Sequence, residues 1–163
     1  MSEEQKIEKY KMKNINLSLG ATAAIVTSMG LIAGLAQGNY TKTGLITSLL
    51  VFAIADNISD SLGLHIYKES EGASSRETTM FTYGNYIVRL FLSATFVLII
   101  LLFSSYLAFI VSFLWGSILL AILSYFIAKK KETHPSLGII WHLVIALIVV
   151  LGSRFLGNLI LKI

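Results

Sequence analysis

The chain has no cysteine and a single proline, and only 13% of its 163 residues are charged. Without cysteine there is no disulfide, no thiolate metal site and no thiol nucleophile. The scarcity of charge argues against an ordinary soluble domain, which must cover its surface with polar groups. Nucleotide and hydrolase signatures are missing too: there is no phosphate-cradling glycine loop, no Ser/His/Asp pattern and no HExxH. No enzyme is expected on this reading. The first residues, MSEEQKIEKYKMKN, are too polar for a secretory signal.

What is present is apolar sequence. Hydrophobic residues make up 55% of the chain, and the mean hydropathy is +0.76. About 20 apolar residues are needed to cross ~30 Å of hydrocarbon as a helix. Five stretches qualify: 17–36, 43–67, 86–104, 106–128 and 137–161. The break between the third and fourth is placed at Ser104–Ser105, because Leu90–Ala128 is too long for one crossing. Backbone groups in lipid must bond within the segment, and the alternation of a barrel strand is missing, so these are read as helices. The expectation is an all-α membrane protein: a tail over 1–16, then a single five-helix transmembrane domain over 17–163.

The formal charge of +4 follows the same topology. Lys6, Lys9, Lys11, Lys13, Lys68, Arg76, Lys129, Lys130 and Lys131 fall on one side of the five spans, and only Lys42 and Lys162 on the other. Basic residues gather on the cytoplasmic side, which gives an inside N-terminus and an outside C-terminus. The basic balance is thereby accounted for, and no nucleic-acid partner is expected. The expected location is a bilayer as a multi-pass protein, of a prokaryotic cell membrane.

Small residues recur every four positions in the first span: Gly20, Ala24 and Ser28, and again Gly30, Gly34 and Gly38. Such spacing lets helix backbones approach closely. Gly63, Gly116, Gly152 and Gly157 can serve the same packing.

The remaining arginines and two aspartates lie inside spans. Asp56 and Asp60 are four apart, on one helix face, with Ser59 and Gly63 near the same stripe. Asp60 lies about 6 Å nearer the cytoplasm at 1.5 Å per residue. A charged Asp at mid-bilayer costs ~2.5 kcal/mol or more. Repulsion within the pair is relieved by a proton on one carboxylate or by a cation between them. Carboxylate oxygens suit hard or borderline divalent cations, so Asp56 and Asp60 are the candidate metal ligands and Met29 a candidate soft one. The bland reading is a salt bridge to Arg89 or Arg154, with Arg89 alternatively snorkelling to the interface. At the cytoplasmic edge, His65 is four residues from Glu69, and Glu71 is close by. These three could form a cation entrance, or simply an interfacial hydrogen bond and a solvated loop. His142, beside Trp141, reads as interfacial.

Three stretches resemble the vacuolar iron transporter family. GATAAIVTSMGLIAGLAQG is similar to its opening helix, which reads like GANDGIVSTLGLVAG. ADNISDSLGLHIYKESE is similar to its second helix, which reads like ADALSMGLGEYLSVRSE, and the last two spans resemble its closing hairpin. The resemblance implies a homodimer whose first helices line a path for ferrous iron or manganese, exchanged against protons. It implies a transported divalent cation and no resident cofactor. The sequence departs from the pattern at the ion site. Ala23 stands where the family has aspartate, Asp60 where it has methionine, and Leu64 where it has glutamate. Only Asp56 keeps its type. The family's cytoplasmic metal-binding insert is cut to about Lys68–Tyr83, and the third-helix prolines are missing. An Asp in place of methionine is a harder ligand, which tilts selectivity away from soft ions or toward protons alone. The expected function is a cation transporter with a rebuilt site; the alternative is a non-transporting membrane protein whose aspartates are salt-bridged to Arg89 or Arg154, and a membrane enzyme using the Asp pair is a weaker third.

Overall fold

In a computed structural model, the described residues are 20–37, 41–130 and 134–162. They form helices joined by short turns, with no strand among them. Helix α1 runs Gly20–Leu35. It is followed by α2 (Lys42–Ser70), α3 (Ser75–Leu102), α4 (Ser105–Lys130) and α5 (Pro135–Ile160). Helices α2 to α5 are long and apolar enough to cross a membrane, whereas the described part of α1 is shorter. The residues expected as the cytoplasmic tail, the start of the first span, Gly38 and Lys131 lie outside the described residues.

Local chemistry sets the helix ends. Thr41 caps α2 by accepting from the Gly44 amide at 3.1 Å, and Ser74 caps α3 by accepting from Glu77 at 3.4 Å. The α2–α3 turn passes through Gly72 at φ 75°, a left-handed conformation that glycine adopts without a Cβ penalty. The lone proline, Pro135, opens α5, where its missing N–H would have no helical partner. The α3–α4 break falls at Phe103–Ser104: Phe103 turns extended at φ −110°, and the Ser104 carbonyl starts the next helix by accepting from Ala108 at 2.7 Å.

Antiparallel neighbours pack in pairs, α2 along α3 and α4 along α5, with a smaller α3–α4 contact. Helix α1 lies among them. A Cβ on Gly20 would collide with Asn85 of α3, one on Gly116 of α4 with Met29, and one on Gly157 of α5 with the Gly34 carbonyl. The core is built from Ile25, Met29, Ile32, Phe96, Ile100 and Leu120. Gly63 and Gly152, expected to pack in the same way, meet nothing within 4 Å and face open space. Large apolar side chains cover the outside, among them Phe91, Leu114, Ile148 and Phe155. A soluble monomer would not expose so continuous an apolar surface, whereas a bilayer solvates it.

Candidate functional site

The charges inside the bundle meet at one side chain. Arg89, on α3, is 1% exposed, and its guanidinium engages both aspartates of α2: Nη2 pairs with Asp56, and Nη1 with Asp60 at 2.5 Å. The i, i+4 spacing of Asp56 and Asp60 is what allows one planar guanidinium to reach both. Its third nitrogen is used as well. Nε donates to Asn57 Oδ1 at 2.8 Å, and Nη1 also reaches the Gly20 carbonyl of α1 at 3.4 Å. Gly20 permits this approach because its missing side chain leaves room for Asn85 and the Arg89 stem. Arg89 therefore does not snorkel to the interface: it is buried among three helices.

The carboxylates are less enclosed than their partner. Asp56 is 28% and Asp60 48% exposed. Ser59 is exposed beside them, and Gly63 opens onto empty space. One flank of α2 is thus polar and uncovered by the other described residues. The count of charge is uneven, two carboxylates to one guanidinium, so one negative charge is left for a proton, a cation or a second protein surface to balance.

The other sequence candidates fall elsewhere. Arg154, the alternative partner for an aspartate, lies 5.0 Å above the Phe109 ring and donates to Gln37. Met29 is a core residue whose thioether fills the space beside Gly116. At the α2–α3 turn, His65 bridges two groups, Thr82 Oγ1 at 3.1 Å and Glu69 at 3.3 Å. Glu71 is taken by a separate clasp: Tyr67 donates to it at 2.5 Å and Lys68 at 2.9 Å. These bonds, that from Tyr67 first, hold the Glu71 carboxyl below its ordinary range. Lys68 itself is only 5% exposed, with its ammonium 5.8 Å from the Phe81 ring. His142 is not a free interfacial ring either, since Nδ1 sits 2.6 Å from Ser124 Oγ.

Sequence reasoning missed the polar residues that surround Arg89. Asn57 and Asn85 are buried beside it, and they were not singled out. Their signal was spacing: Asn57 follows Asp56 directly, and Asn85 precedes Arg89 by one helical turn.

Among the described residues, no group of three or more His, Asp or Glu side chains is placed to hold a metal ion. Within one copy, Asp56 and Asp60 offer two carboxylates already engaged by Arg89. Compared with known proteins, the chain is matched by no family model, no curated protein and no solved structure.

Proposed function

We propose that the protein is a cation transporter of the membrane, working as a homodimer, that moves a divalent cation such as manganese or iron against protons through Asp56 and Asp60. The observation that carries the reading is the unequal pairing at Arg89: one buried guanidinium, two half-open carboxylates. A purely structural salt bridge would balance its charge, because an uncompensated carboxylate at membrane depth costs ~2.5 kcal/mol or more. The surplus carboxylate instead opens on the uncovered flank of α2. A second copy packed on that flank would bring its own pair, giving the several oxygen ligands that a hard divalent cation needs and one copy lacks. Manganese suits a carboxylate set better than iron does. The five-span topology with the α2–α3 turn on the cytoplasmic side rests on the distribution of lysine and arginine.

A second reading has its own observation. Arg89 ties Asp56, Asp60, Asn57 and the Gly20 carbonyl across α1, α2 and α3, which is what a fastener of the fold would do. Mn²⁺ entry into proteoliposomes, followed with an enclosed metal-quenched dye, separates the two. Transport predicts flux in the parent protein that Asp60→Asn and Asp56→Asn lose while their melting temperatures stay close to the parent's. A fastener predicts no flux above that of empty vesicles and a lowered melting temperature in both variants.

A further inference from the structure

The interface between α2 and α3 changes character at Arg89. Toward the α3–α4 end it is mostly apolar, with Ala53, Leu49 and Leu45 of α2 and Phe96 and Ile100 of α3 all buried. Toward the α2–α3 turn it is polar on both sides. Helix α2 presents Asn57, Ser61, His65 and Lys68, spaced by four, four and three; α3 presents Thr78, Thr82, Asn85 and Arg89, spaced by four, three and four. The cross-helix bonds Asn57–Arg89 and His65–Thr82 fix the antiparallel register. The same register sets Ser61 opposite Asn85 and Lys68 opposite Thr78. All of these but His65 and Thr82 are buried, and those two are partly so.

Three atoms along this seam have no protein partner among the described residues: Asn57 Nδ2, Ser61 Oγ and Thr78 Oγ1. Their residues are 1%, 4% and 0% exposed. Nε–H of Arg89 is accepted by Asn57 Oδ1, which leaves the amide nitrogen facing elsewhere. Buried polar groups are almost always bonded, and where protein supplies no partner, water does. The outer end of the seam handles protons by geometry. Thr82 Oγ1 donates to the Thr78 carbonyl at 2.9 Å, so it accepts from Nδ1–H of His65. Nε2 then faces a Glu69 oxygen at 3.3 Å.

We infer that the α2–α3 seam is a hydrated proton path joining the His65–Glu69 pair to the Asp56–Arg89–Asp60 cluster. Water bonded to Ser61 and Asn57, which lie between the two, completes the chain of donors and acceptors, while Thr78 lies on the turn side of His65. The seam from Lys68 to Asn57 spans eleven residues, or ~16 Å, about half the hydrocarbon thickness. The apolar packing beyond Arg89 closes it, so the path opens to one side of the membrane only. A proton enters at the imidazole–carboxylate pair, hops between oxygens, and ends on an Asp60 or Asp56 oxygen, with no bond other than O–H and N–H made or broken. The Lys68 ammonium, held by Glu71 near the mouth, and the Arg89 guanidinium at the inner end are the cations that such a proton passes. This inference rests on the reading that the aspartates exchange charge.

The test is proton entry into proteoliposomes under an imposed potential, followed with an enclosed pH dye. Ser61→Ala removes the bridging hydroxyl and should lose the parent's proton flux. Ser61→Thr, which keeps the hydroxyl, should retain it. Ser112→Ala, which removes an equally buried and unpartnered hydroxyl on α4 away from the seam, should leave it unchanged. If Ser61→Ala does not fold, Ser61→Val against Ser61→Thr makes the same comparison. A Ser61→Ala variant that conducts like the parent overturns the path, as does a Ser112→Ala variant that loses flux equally. A parent that moves Mn²⁺ but no protons overturns the path and the exchange against protons, and leaves divalent cation transport standing. A parent that moves protons but no Mn²⁺ overturns divalent transport and leaves the path.

Discussion

The two sides of the molecule are held together by opposite means. Between α2 and α3 the contact is made by charge and hydrogen bonds around Arg89. Between α1 and α5 it is made by the absence of side chains: Gly34 and Gly157 bring backbones into contact, and Gly30 lies against Val149 and Ser153. The first arrangement is costly to bury and leaves groups unsatisfied; the second rests mainly on packing, with an Arg154–Gln37 bond at its end. A membrane protein that needed only to fold could use the second kind throughout. The buried ion cluster and the polar seam beside it are what set the α2–α3 side apart.

The sharpest way to break this contrast is at Arg89. Arg89→Leu strands two carboxylates in the bundle, and removing one partner of a buried ion pair costs about 3–5 kcal/mol. Denaturant unfolding in detergent should show a loss of that size. Arg89→Lys should recover only part of it, since one ammonium cannot reproduce the fork that meets Asp56, Asp60 and Asn57 together.

Next in size is the glycine side. Gly157→Ala places a methyl against the Gly34 carbonyl, which is backbone and cannot swing away, so a loss of about 1–3 kcal/mol is expected. Gly116→Ala meets the flexible end of Met29 instead and should cost less, under about 1.5 kcal/mol. Equal costs for these two variants would show that close backbone approach is not what binds α1 to α5.

The smallest expected effect is at the α2–α3 turn. Bonds from Tyr67 and Lys68 lower the folded-state pKa of Glu71 below 4.5. Its contribution is therefore present above the ordinary carboxylate value and is lost as pH falls through the lowered folded one. Melting temperature should decline less steeply in Glu71→Gln than in the parent as pH falls from the ordinary carboxylate value through the lowered one.

Much of the helical layout was readable because long apolar runs and Pro, Gly and Ser punctuation are local signals. The spacing of Asp56 and Asp60 likewise placed them on one face from the sequence alone. Which arginine they meet was not readable. Arg89 and Arg154 both lie within apolar helices, and only the register of α3 against α2 brings one of them to the pair. The polar seam was hidden for the same reason. Asn57, Ser61, His65 and Lys68 repeat at helical spacing, yet each taken singly looks like an ordinary polar residue. His65 read as an entrance ligand because Glu69 is local, whereas its bond to Thr82 crosses seventeen positions. Gly63 and Gly152 show the converse: glycine spacing suggests packing, but only the neighbouring helix decides whether anything lies close.

Mn²⁺ influx measured side by side for the parent, Asp60→Asn and Gly157→Ala, with melting temperatures on the same samples, tests the division between a working side and a packing side most directly. The account predicts that Asp60→Asn abolishes influx and melts near the parent, while Gly157→Ala melts lower and still conducts when folded. A parent no faster than empty vesicles, or an Asp60→Asn variant that conducts like the parent, would contradict it.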